Sequence, residues 1–315
     1  MLTRLGRTSS LVMALALMGA SAPPTERLIA GAGLVDVSLA GEPARLRVDP
    51  AAPGMILMSK AFAQNRELRM SKRLGIGFVY AIGSDRVTSS TAVTKVDLGG
   101  GVEKRRVGWS ARPFSPVADG SIGPAGLPDP IVRFQLQRSQ AGEWTIRLPM
   151  TRFGFAEFVF GGGWQPSSAE IEIDGAPMRI IFDPHHARSL ATAGAAVRLS
   201  RAYGGATSGE AVPTEIFFGV KRPVRTLTLA RPMQIGALSI TTLGVRTSDF
   251  GNAGLIPEAG VVPPPADPNE IVVTAKGKKR DTSHDVISLG ADLLGRCSSI
   301  VFDKPAKQIA LTCTA

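Results

Sequence analysis

The sequence predicts an all-β chain folded as two similar halves, and three observations carry that expectation. A sixteen-residue segment, Val35 to Pro50, returns without gaps as Ala169 to Pro184. Both copies alternate apolar and polar residues with a period of two, the pattern of a half-buried strand. Finally, 35 glycines and 23 prolines among 315 residues favour many turns and short strands over long helices.

The length fits about two domains, and 44% hydrophobic with 20% charged residues excludes wholesale disorder. Residues 1–22 read as a signal peptide. Arg4 and Arg7 precede an apolar run from Leu11 to Met18, and Ala20-Ser21-Ala22 has the small-x-small form of a cleavage site. Pro23 directly after the cut hinders processing, which leaves an uncleaved interfacial anchor as the alternative. The run is too short for a permanent bilayer span, and no later segment is apolar enough to be a transmembrane helix. The expectation is an exported protein, periplasmic or secreted.

The repeat organises the rest. At a constant offset of 134 residues, Gly41, Pro43, Arg45, Asp49 and Pro50 meet Gly175, Pro177, Arg179, Asp183 and Pro184. Each copy reads as a β-hairpin turning at Gly-x-Pro and ending in Asp-Pro. A short apolar strand follows each (Met55 to Met58; Ser189 to Leu190), then a stretch with helical leanings at Ser59–Gln64 and Thr192–Leu199. An apolar-Gly step comes next, Ile122-Gly123 and Leu289-Gly290. A final strand closes each half, Ile131 to Leu136 and Ser299 to Phe302. The halves span 23–164 and 165–315, with Phe153 to Trp164 as the bridge.

These residues resemble the two-lobed aspartic proteases of the pepsin and retropepsin type. The family pattern in each lobe is a hairpin, an apolar-Asp-Thr/Ser-Gly-Ala loop, a short strand, a helix-like turn and an apolar-apolar-Gly step. Val48-Asp49-Pro50-Ala51-Ala52 and Phe182-Asp183-Pro184-His185-His186-Ala187 occupy the Asp-bearing loop. Asp119-Gly120-Ser121-Ile122-Gly123 and Ile287-Ser288-Leu289-Gly290 occupy the second motif. Ser299–Asp303 with Gln308–Leu311 looks like the closing hairpin. The resemblance covers essentially the whole mature protein and implies two β-barrel lobes with an interlobe cleft. It also implies Asp49 and Asp183 as the catalytic pair, two carboxyls about 3 Å apart that share one proton and activate a water. Both loops depart from the family alike. Pro50 and Pro184 supply neither the hydroxyl nor the N–H that lock the loops together, and Ala51 and His185 replace the glycine. The implied function is peptide binding in the cleft with impaired or lost catalysis; an active aspartic endopeptidase is the alternative. No cofactor is implied.

The remaining signals are local. Cys297 and Cys313 bracket the closing hairpin, and centring it on Pro305 sets them face to face as a disulfide; two buried thiols are the alternative. Asp183, His185 and His186 suggest metal ligands, but adjacent histidines on an extended segment point to opposite faces, so no metal site is expected. The net charge of +10 falls to +8 without Arg4 and Arg7, and only Lys276 to Arg280 forms a basic run. With 6% aromatic residues there is little material for base stacking, and no nucleic-acid partner is expected. The stretch from Asp183 to Gly290 is longer than that from Asp49 to Gly123, partly through a proline-rich insertion at 261–281. Within it Glu270, Ile271, Val272, Val273, Thr274 and Ala275 resemble the TonB box of outer-membrane receptors. That resemblance implies a segment that adds to the sheet edge of a TonB-like periplasmic partner, an ordinary surface loop being the alternative.

Overall fold

The computed structural model describes residues 25–69, 77–151, 163, 165–247, 256–261 and 282–314. The expected signal peptide, the bridge apart from Gly163, and residues 262–281 with the Glu270–Ala275 and Lys276–Arg280 segments lie outside the described residues.

The first half contributes β1 (Glu26–Ala30), β2 (Leu34–Leu39), β3 (Glu42–Val48), β4 (Ile56–Ser59), helix α1 (Lys60–Asn65), β5 (Phe78–Ile82), β6 (Asp85–Asp97), β7 (Val102–Ser110), β8 (Gly120–Ile122), β9 (Ile131–Gln135) and β10 (Trp144–Pro149). The second contributes β11 (Ala169–Ile173), β12 (Ala176–Phe182), β13 (Leu190–Ala191), helix α2 (Ala193–Tyr203), β14 (Ala206–Glu215), β15 (Lys221–Ile235), β16 (Leu238–Arg246), β17 (Val286–Leu289), helix α3 (Ala291–Leu294), β18 (Cys297–Asp303) and β19 (Gln308–Cys313). The fold is all-β. Among the described residues no helix is long and apolar enough to cross a membrane.

Two seven-stranded sheets share one topology. The order β2-β3-β8-β4-β7-β6-β5 in the first half is matched strand for strand by β11-β12-β17-β13-β16-β15-β14 in the second. Directions match too: β3 runs parallel to β8 and β12 to β17, while β4 and β13 run antiparallel to those partners. A β2–β6 pairing at Ser38–Asp97 and Leu39–Val96 closes the first sheet into a barrel.

The repeat sets this at the residue level. Strands β3 and β12 carry their apolar residues on alternate positions: Ala44, Leu46 and Val48, then Met178, Ile180 and Phe182, all buried. The hairpins do not turn at Gly-x-Pro as expected. They turn one step earlier, at Ala40-Gly41 and Asp174-Gly175, where all four residues have positive φ, as a two-residue type I′ turn requires. Pro43 and Pro177 sit inside the following strands, opposite Ser38 and Glu172. Helix starts are also duplicated: the Ser59 and Thr192 side chains accept from the N–H of Phe62 and Ala195, the usual N-cap arrangement.

A five-stranded sheet, β1-β9-β18-β19-β10, joins the halves. Its centre is the antiparallel β9–β18 pair, which brings Phe134 opposite Ile300 and sets Phe134 edge-on to Phe302. The disulfide Cys297–Cys313 is formed, with S–S 2.08 Å. The register behind it differs from the expected one. The hairpin pairs Asp303 with Gln308 and Ser299 with Thr312, one residue off a Pro305-centred hairpin, and a bulge at Ser298 then brings Cys297 opposite Cys313.

Candidate functional site

Asp49 and Asp183 each stand one residue past the end of a core strand, β3 and β12, and their surroundings repeat. The Asp49 N–H donates to the Ile122 carbonyl at 3.0 Å, and the Asp183 N–H donates to Leu289 at 2.8 Å. Each aspartate then opens a β-turn with proline second: the Ala52 N–H donates to the Asp49 carbonyl at 3.0 Å, and His186 N–H to that of Asp183 at 3.1 Å. Asp at the first position and Pro at the second is favourable turn chemistry, so Pro50 and Pro184 build the loop rather than break it. The carboxylates accept from the same turns, Asp49 Oδ1 from the Ala51 N–H at 2.9 Å and Asp183 Oδ1 from the His186 N–H at 3.2 Å.

The expected apolar-Gly steps lie directly beneath these turns. A β-carbon on Gly123 would stand 2.0 Å from the Ala52 carbonyl oxygen, and one on Gly290 2.5 Å from the Arg188 carbonyl carbon. No side chain fits there without moving the Asp loop, so glycine is required by close approach.

Both carboxyls are buried, Asp49 at 4% and Asp183 at 8% exposure, and they act on each other. Burial pushes the Asp183 carboxyl up to about 7, and the Asp49 charge adds to the rise; His186 and the turn N–H groups oppose it. Burial also raises Asp49, against the pull of His185, the Ala51 N–H and Arg47. Like carboxyls in mutual reach cannot both ionise freely, and burial holds both of them toward the protonated state. His185, lowered chiefly by burial, belongs to the second half yet acts on Asp49 of the first.

Asp183 opens onto a cleft of about 250 Å³ lined from both halves, by Ala51, Pro53, Tyr80 and Phe114 on one side and Ile181, Asp183, Leu190 and Phe218 on the other. Two hairpins roof it. The β5–β6 hairpin brings Tyr80 to 4.9 Å, ring to ring, from Phe218 in the β14–β15 turn, while Phe114 stacks on Phe217 at 5.8 Å. Arg222 Nη1 donates to Ser84 Oγ at 2.8 Å and to Asp85 Oδ2 at 3.1 Å, tying the tips across the halves. Ile82 and Val87 pack with Leu190, Ile216 and Val224 in one apolar cluster. Phe218 holds a positive φ of 58°, a strained conformation for a bulky residue.

The two histidines part company, though the segment is a turn and not the extended stretch the sequence suggested. His186 places Nδ1 2.6 Å from the Arg188 carbonyl and Nε2 2.7 Å from that of Glu215, bracing the Asp183 loop against the roof hairpin. His185 lines a separate cavity with Ile29, Phe134 and Leu294. Among the described residues no three His, Cys, Asp or Glu side chains gather as metal ligands do.

Sequence reasoning located both aspartates but missed the roof, the Arg47 and His185 charges beside Asp49, and Arg198. Helix α2 carries Arg198 into the core, where it donates to the Pro177 carbonyl at 3.0 Å and to Asp285 Oδ2 at 3.2 Å. The available signal for the roof was Phe217-Phe218-Gly219 in an aromatic-poor chain. Searched against models of known protein families and against curated proteins, the chain matches none.

Proposed function

We propose that this chain is an exported pepsin/retropepsin-like protein of two β-lobes, 23–164 and 165–315, that binds a peptide in the cleft between them. In this reading Asp49 and Asp183 are an aspartic dyad retained in place but impaired in cleavage. The observation that carries it is the pair of repeat-related Asp-Pro turns, which bring two buried carboxyls into mutual electrostatic reach beneath a cleft lined by both halves. Impairment follows from the turns themselves. Pro50 and Pro184 have no hydroxyl or N–H to bond across to the opposite loop, and a dyad misplaced by about 1 Å loses about a hundredfold in rate.

The second reading is an active endopeptidase, and one observation favours it: Asp183 is raised to about 7 by burial and by Asp49, as a proton-sharing acid–base pair needs. Peptide cleavage between about pH 3 and 8, a range spanning carboxyl and imidazole titration, separates the two. The binding reading expects peptide retention with no cleavage, and retention by Asp49→Asn and Asp183→Asn. Cleavage blocked by a statine-type mimic and abolished by either substitution would establish the endopeptidase instead.

A further inference from the structure

His186 reaches from the Asp183 turn to the roof. Its backbone is fixed on both sides: the N–H donates to the Asp183 carbonyl at 3.1 Å and to Asp183 Oδ1 at 3.2 Å, and the carbonyl accepts from the Ala291 N–H at 2.7 Å. The ring therefore moves with the Asp183 loop. It lines the cleft and sets Nδ1 2.6 Å from the Arg188 carbonyl oxygen and Nε2 2.7 Å from the Glu215 carbonyl oxygen. Glu215 is the last residue of β14, directly before the turn that carries Phe217 and Phe218. The Ile216 N–H closes that turn by donating to the Val220 carbonyl at 2.8 Å. Ala52, the repeat partner of His186, has no side-chain atom that hydrogen-bonds, so the repeat supplies no such tie in the first half.

A carbonyl oxygen only accepts, so each ring nitrogen must carry a proton to bond the carbonyl it faces. Both contacts at once require the imidazolium. A neutral ring leaves one lone pair against a carbonyl oxygen. With the proton on Nδ1, the Glu215 contact becomes repulsive. With the proton on Nε2, Nδ1 keeps the Arg188 N–H at 3.2 Å as donor but faces the Arg188 oxygen at 2.6 Å. Imidazole ordinarily changes charge between about pH 5 and 8.

The charged groups packed about this turn come from every neighbouring element. Asp183 and, beyond it, Asp49 and His185 stand on the Asp turns. Arg179, Arg246 and His284 line the same cleft. Arg188 turns its guanidinium to Thr226, and Asp292 in α3 accepts from the Ser189 N–H. Glu215 and its strand partner Lys221 belong to the roof hairpin. Of these acids Asp183 feels the ring charge, which lowers its carboxyl against burial. The imidazolium thus favours the ionised Asp183 as well as the roof contact.

We propose that His186 is a protonation-dependent latch: the imidazolium ties the base of the Phe217–Phe218 turn to the Asp183 loop and holds the roof over the cleft, and loss of its proton releases that tie. The latch stands apart from what the cleft binds. Ring nitrogen-15 spectra and amide exchange at stepped pH test it on the full mature protein, His186 being one of three histidines and assigned through its backbone. Between about pH 5 and 8 the two ring nitrogens should pass from the doubly to the singly protonated signature. Protection factors of Ile216 and Val220 should fall at least about tenfold along the same curve, the worth of a hydrogen bond to a charged group. The fall should vanish in His186→Gln and persist in Asp183→Asn, whose side-chain oxygen still accepts from the His186 N–H. The wild-type series needs no variant and stands even where a substitution disturbs folding. A ring that stays neutral throughout, or roof protection that does not follow its protonation, overturns the latch. A fall that survives in His186→Gln, or disappears in Asp183→Asn, assigns the pH response to other groups and overturns it as well.

Discussion

Replacing Asp183 by asparagine should change how the stability of the protein depends on pH, by an amount the burial of the dyad sets. In the folded protein the Asp183 carboxyl is raised from 3.8 to about 7. A raised carboxyl favours the protonated state, so its contribution is fully present below the unfolded value and is lost as pH rises through the folded one. A displacement of about three pH units corresponds to about 4 kcal/mol. Between about pH 4 and pH 8 the wild type should therefore lose up to about 4 kcal/mol more unfolding free energy than Asp183→Asn, which keeps the slope set by the raised Asp49 carboxyl. Asp49→Asn removes the smaller cause and leaves burial, so the slope should shrink without vanishing. Urea titrations at stepped pH measure this directly. Glu26, Asp36 and Glu143 are lowered by their partners, so their contributions are lost only as the pH falls, outside the window. Parallel pH curves for wild type and Asp183→Asn would mean that burial does not raise the Asp183 carboxyl.

Three further outcomes follow from the packing. Cys297→Ser or Cys313→Ser should cost about 3 kcal/mol, the loop-closure entropy value for a short loop, since the bridge spans 16 residues; reduction of the wild type should match it in a denaturant midpoint. Asp285→Ala leaves the Arg198 charge buried without its acid and should cost about 3–5 kcal/mol, whereas Arg198→Met with Asp285→Leu should return most of that in the same assay. Arg222→Ala severs the tie to Ser84 and Asp85, so amides of Phe78–Ile82 should exchange at least about tenfold faster while those of β9 and β18 stay protected; unchanged exchange would mean the aromatic contacts alone hold the roof.

Much of the architecture was legible because its signals are local. The period-two alternation that buries Leu46 and Ile180, the turn residues Gly41 and Gly175, and the caps Ser59 and Thr192 each act within a few residues. The recurrence of the strand and turn residues at an offset of 134, with the caps at 133, announced a duplicated topology. The turn position was misread because Pro43 and Pro177 look like turn residues yet sit within strands, next to the two-residue turn. The hairpin register was misread because a bulge at Ser298 depends on how β18 meets β9 and β19 together. Of the roof only the Phe217-Phe218-Gly219 tip left a signal in the sequence, and that signal does not say what the tip meets. Tyr80 meets Phe218, and Arg222 meets Asp85, only after both halves have folded and docked, and no periodicity encodes such a meeting. Arg198 is similar: on α2 it reads as a polar surface residue, and only the packed helix shows it reaching the Pro177 carbonyl and Asp285.

The proposed function stands or falls on whether Asp49 and Asp183 form one site under the roof. A crystal structure of the mature protein with a statine-containing peptide measures that most directly. The peptide should lie extended in the cleft beneath Tyr80 and Phe218, its hydroxyl within hydrogen-bonding distance, about 2.5–3.0 Å, of both carboxyls. A peptide bound elsewhere, or carboxyls more than about 6 Å apart and so beyond the range of strong mutual influence, would contradict a shared site.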